Sequence, residues 1–249
     1  MTSVAGAYLN ATPCCGKTYC TPRYRSMNFS AREYWTDGYC EGSLMPNGHG
    51  LRRCACGNFY LLRELLQISE VEQAEGPFTV HVEPEELPLA IAQARTPDIE
   101  EAARMDYWHH LNHDYRQRYR QHRDAEEART EAQWHAQHPD TRSWWQKLRK
   151  VSAPRYQRPA NAPFTYPPYT PSETQRENMQ ALLQLLQQKQ ASGQWVDAHT
   201  TAELHRALGQ FEQAAQALQT LEEKERGTTS NLMAKKINEM ETAPMRYRI

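Results

Sequence analysis

The chain has little apolar content and almost no net charge. Of its 249 residues, 39% are hydrophobic, and the mean hydropathy is −0.87. No run approaches the roughly 18 apolar residues that a membrane span requires, and the first residues lack the basic start and apolar stretch of a signal peptide. With 29 basic and 30 acidic residues, the chain has no global electrostatic footprint for nucleic acid. We therefore expect a soluble, cytoplasmic protein with no membrane partner.

Motifs for catalysis are also missing. The sequence has no phosphate-cradling glycine loop and no serine or cysteine nucleophile with a recognisable base. His109 and His113 are spaced i, i+4 beside Asp106 and Asp114, but residues 109–113 read H-H-L-N-H, whereas a zincin requires H-E-x-x-H. We expect a solvated polar helix face there, and we do not expect the chain to be an enzyme.

What the chain does have is cysteine concentrated in two short stretches. All but one of its six cysteines fall in "TPCCGKTYC", residues 12–20, and "LRRCACGNFY", residues 51–60. A zinc ribbon holds one Zn²⁺ with four thiolates from two C-x2-C-G turns, in which the glycine lets backbone N–H groups point at the sulfurs. The two stretches therefore suggest the two halves of one metal site.

Each stretch matches the second half of that pattern. Cys15 and Cys56 are each followed by glycine, whereas the first-ligand positions hold Thr12 and Arg53 and the nearest other cysteines lie closer to the glycines. We predict a structural Zn²⁺ site. Its ligands are Cys14, Cys15, Cys54 and Cys56.

Other interpretations of the cysteines stay open. Adjacent side chains such as those of Cys14 and Cys15 diverge and rarely chelate one ion, so Cys20 can replace Cys14 as the fourth ligand. Buried free thiols without metal, a redox-active Cys14–Cys15 pair and a disulfide are alternatives, although a reducing cytoplasm argues against the disulfide. Cys40 and His49 are spare candidates that we expect to be structural.

The distribution of β-forming, turn, proline and helix-forming residues divides the chain into four segments. Residues 1–66 are rich in β-forming and turn residues and predict a zinc-ribbon-like module that ends in a short helix over 61–68. Residues 67–150 predict a possible strand over 78–82 and then helices. Residues 151–172 are a proline-rich strap, and residues 173–249 are helical.

Several residues mark features inside the helical and strap segments. Thr96 and Ser172 begin helices, and Trp144, Trp145 and Leu148 form an amphipathic anchor. The strap should lie along the protein's surface, because it carries four aromatic residues, Tyr156, Phe164, Tyr166 and Tyr169.

The most specific helical stretch is Leu208-Gly209-x-Phe211-x-x-Ala214-x-x-x-Leu218. It reproduces the junction between the two helices of a tetratricopeptide (TPR) repeat, in which a small glycine lets the helices approach and a phenylalanine wedges between them. A plain antiparallel helical bundle is an equally good interpretation.

The segments "TPCCGKTY", "YWTDGY" and "LRRCACGNFYLL" resemble the N-terminal module of a group of bacterial zinc-ribbon proteins with no assigned activity. That group also has a downstream helical region with an "LG-x-F-x-x-A" turn. The resemblance implies metal binding at Cys15 and Cys56. Thr12 and Arg53 depart from the group's pattern.

Taken together, the sequence predicts a mainly α protein with a small β zinc-ribbon module, an α+β fold with TPR-like packing of antiparallel helices. We expect a non-catalytic protein that binds another protein, in a toxin-immunity or adaptor role. The alternative is a nucleic-acid-binding zinc ribbon, because residues 1–60 hold six basic and three acidic residues.

Overall fold

The computed structural model describes residues 3–27, 30–43, 49–150, 152–158, 166–221 and 227–247. It has two compact units, one made of residues 1–112 with 170–249 and the other of residues 113–169. The fold is mixed α+β, as predicted. Among the described residues, no helix combines the length and apolar character needed to cross a bilayer. The division into four segments stays a prediction about domains.

The strands are short and pair antiparallel. They are β1 Ser3–Ala11, β2 Thr18–Ser26, β3 Ser30–Trp35, β4 Cys40–Ser43, β5 Leu51–Arg53, β6 Phe59–Leu61, β7 Leu66–Val71, β8 Val80–His81 and β9 Arg246–Tyr247. Within the described residues they form three sheets of three strands, ordered β2-β1-β7, β4-β3-β9 and β6-β5-β8. Ala11 pairs with Thr18 and Arg53 pairs with Phe59, so β1–β2 and β5–β6 each end in a tight loop. These two loops carry four of the six cysteines, Cys14, Cys15, Cys54 and Cys56.

Two predictions near these strands need correction. The helix expected over residues 61–68 is wrong, because only Leu62–Glu64 form a single 3-10 turn and Leu66–Val71 is the edge strand β7. The strand hydrogen bonds that β1 offers outweigh the helical preference of this leucine-rich segment. The strand expected over 78–82 is shorter than predicted: it consists of Val80–His81, with Phe78 bridged to Cys20.

The helices supply most of the core. They are α1 Leu87–Ala92, α2 Pro97–Leu111, α3 His113–Gln137, α4 Trp144–Leu148, α5 Glu173–Ala191, α6 Ala198–Ala207, α7 Phe211–Gln219 and α8 Thr228–Asn238. Thr96 caps α2 by accepting from Ile99 N at 3.3 Å, and Ser172 caps α5 by accepting from Gln175 N at 3.2 Å. Both predicted helix starts are confirmed, because each hydroxyl satisfies a backbone donor that the first helical turn leaves unpaired.

Helix α2 joins the sheets to the C-terminal helices. Ile99, Ala102 and Ala103 pack with α1 and with residues of β5 and β6. One to two turns later, Met105 and Trp108 pack on residues of α5 and α6. Burying two apolar faces of one helix in this way fixes its position relative to the β5–β6 loop.

The C-terminal helices α6, α7 and α8 share a third apolar cluster. It contains Ala202, Ala214 and Met233, each fully buried, with Phe211 partly buried against it. The prediction that Gly209 is needed so that two helices can approach closely is wrong. Among the described residues, no atom beyond its sequence neighbours would lie within 4 Å of a Cβ there, and the glycine is needed because its φ is +77°. TPR-like packing stays a prediction.

In the smaller unit, the described parts of the strap lie against α3. The ring contacts are Tyr156 with Trp134 at 6.2 Å, Tyr166 with Tyr119 at 5.8 Å and Tyr169 with Tyr115 at 4.9 Å between centroids. The strap's predicted packing through its aromatic residues is confirmed for these three. Phe164 lies outside the described residues.

Candidate metal centre

The first cysteine loop is a tight turn between β1 and β2. Thr12 N donates to Lys17 O at 2.9 Å, and Gly16 N donates to Thr12 O at 3.0 Å. Gly16 has φ +72°, a left-handed conformation that other residues adopt at a cost. The turn places Cys14 and Cys15 at its tip.

The second loop, between β5 and β6, repeats this arrangement. Cys54 N donates to Asn58 O at 2.8 Å, and Gly57 N donates to Cys54 O at 2.9 Å. Gly57 has φ +89°. The glycine that follows a cysteine in each stretch therefore has the conformational role that the sequence pattern predicts.

The two loops bring four sulfur atoms together. Cys14 Sγ lies 3.5 Å from Cys56 Sγ, and Cys15 Sγ lies 3.5 Å from Cys54 Sγ. The sulfurs of Cys14 and Cys15 are 4.0 Å apart, and all four lie within 4.8 Å of one another. A tetrahedral ion with bonds of about 2.3 Å to sulfur separates its ligands by about 3.8 Å. Because a disulfide needs about 2.05 Å, these thiols are unpaired and spaced for one metal ion.

Polar neighbours surround the sulfurs. Thr12, at the first-ligand position of the usual pattern, is 2% exposed, and its Oγ1 lies 3.6 Å from Cys15 Sγ and 3.8 Å from Cys54 Sγ. Asn58 Nδ2 donates to Cys56 Sγ at 3.2 Å. These contacts orient the sulfurs and stabilise negative charge on them.

Tyr19 ties the two loops to each other. Its ring packs with Cys54 and Tyr60 in a small buried cluster. Its hydroxyl accepts from Ala55 N at 2.9 Å and lies 4.0 Å from Cys54 Sγ. Sequence reasoning missed Thr12, Tyr19 and Asn58 as supporting residues. Only Thr12 had a signal, because it occupies a ligand position without being a cysteine.

The surroundings of the thiols shift their pKa values in different directions. Burial raises the pKa of Cys14 to about 12, whereas a backbone hydrogen bond from Asn58 lowers the pKa of Cys56 to about 6. A hydrogen bond with Thr12 lowers the pKa of Cys15. Four thiolates this close repel one another, so full ionisation of the cluster requires a bound cation. The chemistry that this cluster can perform is therefore metal binding through sulfur.

The other candidate residues lie elsewhere. Cys20 is fully buried in β2, with its backbone bonded to Pro77 and Thr79, and Cys40 lies in β4. Cys14, and not Cys20, is the cysteine that the fold places beside the other three. The four-cysteine cluster is thus a possible metal site.

The predicted histidine pair is divided between two helices. Helix α2 ends at Leu111, with Asn112 as its C-cap, so His109 belongs to α2 and His113 begins α3. The two histidines therefore belong to different helices.

Comparisons of the chain with protein-family models, with curated proteins and with solved structures found no significant match.

Proposed function

We propose that this chain is a non-catalytic protein-interaction protein whose two cysteine loops are joined by one structural Zn²⁺. The observation that carries the metal assignment is the set of four mutually facing sulfurs. Four thiolates fill a tetrahedral shell and leave no position for water or substrate, which is the composition of structural zinc sites. Softer thiolate ligands also favour Zn²⁺ over Mg²⁺ or Ca²⁺.

The proposed ion would stabilise the fold by linking two separate sheets. Cys14 and Cys15 follow β1, and Cys54 and Cys56 follow β5, in different sheets. Strands β5 and β6 are only three residues long, so their pairing supplies few backbone hydrogen bonds. A metal link between their loops supplies stability that such small sheets lack.

Metal analysis tests this assignment. Purified protein dialysed against metal-free buffer should retain one tightly bound zinc per chain. Cys54→Ser and Cys56→Ser should lose it, whereas Cys40→Ser, outside the cluster, should keep it. Zinc retained by both cluster variants, or absent from the wild type, would contradict the proposal.

The interaction role is supported by exposed apolar side chains on α4. Trp144, Trp145 and Leu148 are 65%, 61% and 61% exposed, and the exposed residues Arg149 and Lys150 follow them. Tryptophan and arginine are enriched where protein interfaces gain most of their energy. This helix suits a partner protein with an apolar groove bordered by acidic residues. An adaptor or toxin-immunity role is consistent with such binding.

An affinity experiment in lysate of the native host tests the interaction role. A partner retained by the wild type should be lost from the triple variant Trp144→Ala, Trp145→Ala, Leu148→Ala. It should be retained by Trp195→Ala, which removes a tryptophan that is 82% exposed elsewhere in the chain. No partner at any salt concentration, or equal retention by the triple variant, would count against this function.

The alternative, a nucleic-acid-binding zinc ribbon, depends on basic residues near the cysteines. Arg23 forms an ion pair with Glu70 at 2.7 Å, Arg53 forms one with Glu86, and Arg52 is only 6% exposed. These contacts reduce the positive charge available to phosphates, so we place this function second. A gel-shift titration separates the two, because phosphate binding is strongest at low salt and weakens steeply as salt is added.

A further inference from the structure

A second group of metal-ligating side chains lies on α2, apart from the cysteines. Asp106 and His109 are three residues apart, and therefore on one face of that helix. His49, which precedes β5, reaches the same place. Each of the three residues offers one ligand atom, and these atoms lie within 4.8 Å of one another. We propose that His49, Asp106 and His109 form a second binding site, for an exchangeable divalent transition-metal ion.

The contacts of His49 already bring two of the donors together. His49 Nδ1 lies 2.7 Å from Asp106 Oδ1, and the backbone N–H of His49 donates to the same oxygen at 3.0 Å. Ligand atoms around an ion with bonds of about 2.1 Å are about 3.0 to 3.4 Å apart. A small opening of this contact is enough to admit an ion.

His109 has the outer hydrogen bond that metal-binding histidines usually make. Its Nε2 lies 2.8 Å from the carbonyl oxygen of Asp37, and because a carbonyl only accepts, Nε2 is the protonated nitrogen. Ligating histidines commonly donate one ring N–H to a backbone carbonyl, which fixes the tautomer and the orientation of the ring.

The carbonyl that orients His109 is itself held in place. The Asp37 side chain is 2% exposed, and its Oδ2 accepts from Asn112 Nδ2 at 2.9 Å while its Oδ1 accepts from Tyr39 N at 3.2 Å. The adjacent Gly38 has φ +81°, which closes this turn tightly. The "WTDG" turn, residues 35–38, thus acts as a rigid support for His109.

The donor set indicates the class of metal and its mode of binding. Two imidazoles and one carboxylate suit Zn²⁺, Co²⁺, Ni²⁺ or Fe²⁺, and three protein ligands leave positions open for water or another ligand. The side chain of His49 is 36% exposed, so the ion has access from solvent. Arg52 interacts electrostatically with Asp106, and its positive charge makes this site weaker than the four-cysteine cluster.

Metal stoichiometry with single variants tests this site. The full chain is dialysed against Zn²⁺ at increasing free concentration, and bound zinc is counted by elemental analysis. The wild type should bind a second ion after the tight one. His49→Ala and Asp106→Asn should each lose the second ion and keep the first, whereas Cys56→Ser should lose only the first.

A matched control and a spectroscopic measurement sharpen the result. His110→Ala removes an exposed histidine from the same helix, one that stacks on Tyr107, and should keep both ions. With Co²⁺ in place of Zn²⁺, only the first equivalent should produce thiolate charge-transfer absorption. A wild type that binds no second ion overturns the proposal, as does a second ion that persists in both His49→Ala and Asp106→Asn. Because the cysteine-bound ion is counted separately, this failure leaves the proposed zinc cluster intact.

Discussion

Thr36 and Glu203 are 167 residues apart in the chain, yet the Thr36 hydroxyl donates a 2.6 Å hydrogen bond to Glu203 Oε1. Thr36 follows β3, and Glu203 lies in α6. The bond is part of a buried network, because Arg206 donates to both oxygens of Glu203 and also to the carbonyl of Ala243. The C-terminal segment, α6 and the "WTDG" turn are therefore held together by polar contacts away from water.

Breaking this network should be costly. Glu203 and Arg206 have side chains only 1% and 0% exposed, so Glu203→Gln leaves a buried guanidinium without its counter-charge. We expect a loss of about 3–5 kcal/mol in the free energy of unfolding. Thr36→Val should cost about 1–3 kcal/mol, because it removes two buried hydrogen bonds, the one that the hydroxyl donates to Glu203 and the one that it accepts from Met245 N at 3.0 Å. Urea denaturation measures both.

An exposed ion pair provides the control for these variants. Lys235 is 68% exposed and lies 3.9 Å from Glu239. Lys235→Ala should change the unfolding free energy by less than about 0.5 kcal/mol. If Glu203→Gln were no more destabilising than this control, the network would not be holding these segments together.

Gly209 offers a test of what a glycine contributes between α6 and α7. Its φ is +77°, and in the described part of the chain no atom beyond its sequence neighbours lies within 4 Å of the position that a Cβ would take. Gly209→Ala should therefore cost about 1 kcal/mol through backbone conformation alone, and Gly209→Asn should cost less, because asparagine tolerates the left-handed region. Close packing would give the opposite order, since asparagine is larger. Thermal unfolding of the two variants distinguishes these explanations.

The Asp98 carboxylate should contribute to stability in a pH-dependent way. A hydrogen bond from Lys189 Nζ at 2.7 Å, with a second contribution from Arg63, lowers the pKa of Asp98 below its usual value. Stability from a depressed carboxyl pKa is present above the unfolded-state value of about 3.9 and is lost as pH falls through the folded-state value. Asp98→Asn should therefore be less stable than the wild type at pH 7, and the difference should shrink below about pH 4.

The size of this effect is limited by solvent. The Asp98 side chain is 42% exposed, so we expect a difference of about 0.5 kcal/mol at neutral pH. Urea denaturation at a series of pH values measures it. Asp124→Asn, at a carboxylate that is 65% exposed, is the control and should show no comparable change. A difference for Asp98→Asn that stayed constant from pH 7 to pH 3 would assign the loss to packing and not to charge.

The features that were predictable from the sequence are those that depend on neighbouring residues. The glycines after Cys15 and Cys56 indicated two turns, and Thr96 and Ser172 indicated helix starts, because each effect acts within one turn of backbone. The clustering of Cys14, Cys15, Cys54 and Cys56 agrees with the two turns predicted from these glycines.

What the sequence could not show depends on residues far apart in the chain. Leu66–Val71 became a strand because β1 offered an edge, and residues 61–68 carry no record of that pairing. The contacts of Thr36 with Glu203 and of His49 with Asp106 likewise arise only once the chain has folded. Such contacts leave no periodic pattern that sequence reasoning can detect.

Thr12 has a position that the sequence pattern identifies and a contact with sulfur that only the fold shows. It occupies the first-ligand position of the usual C-x2-C-G turn, and its hydroxyl lies 3.6 Å from Cys15 Sγ. In the proposed zinc site Cys14 and Cys54 complete the set of four sulfur ligands, so the proposal makes Thr12 a support for the ligands and not one of them. Thr12→Val removes the hydroxyl with little change in volume and should keep one zinc per chain. The affinity for that zinc should fall about 10- to 100-fold, as for other losses of an outer hydrogen bond.

Competition with a colorimetric chelator measures this affinity. Thr12→Ser retains a hydroxyl and should release zinc as the wild type does. Complete loss of zinc from Thr12→Val would show that the oxygen is itself required to hold the ion, and wild-type affinity would show that its contact with sulfur has no influence. Only an intermediate affinity agrees with four sulfur ligands supported by a hydroxyl, because that arrangement leaves the metal's own bonds intact while weakening the charge stabilisation around them.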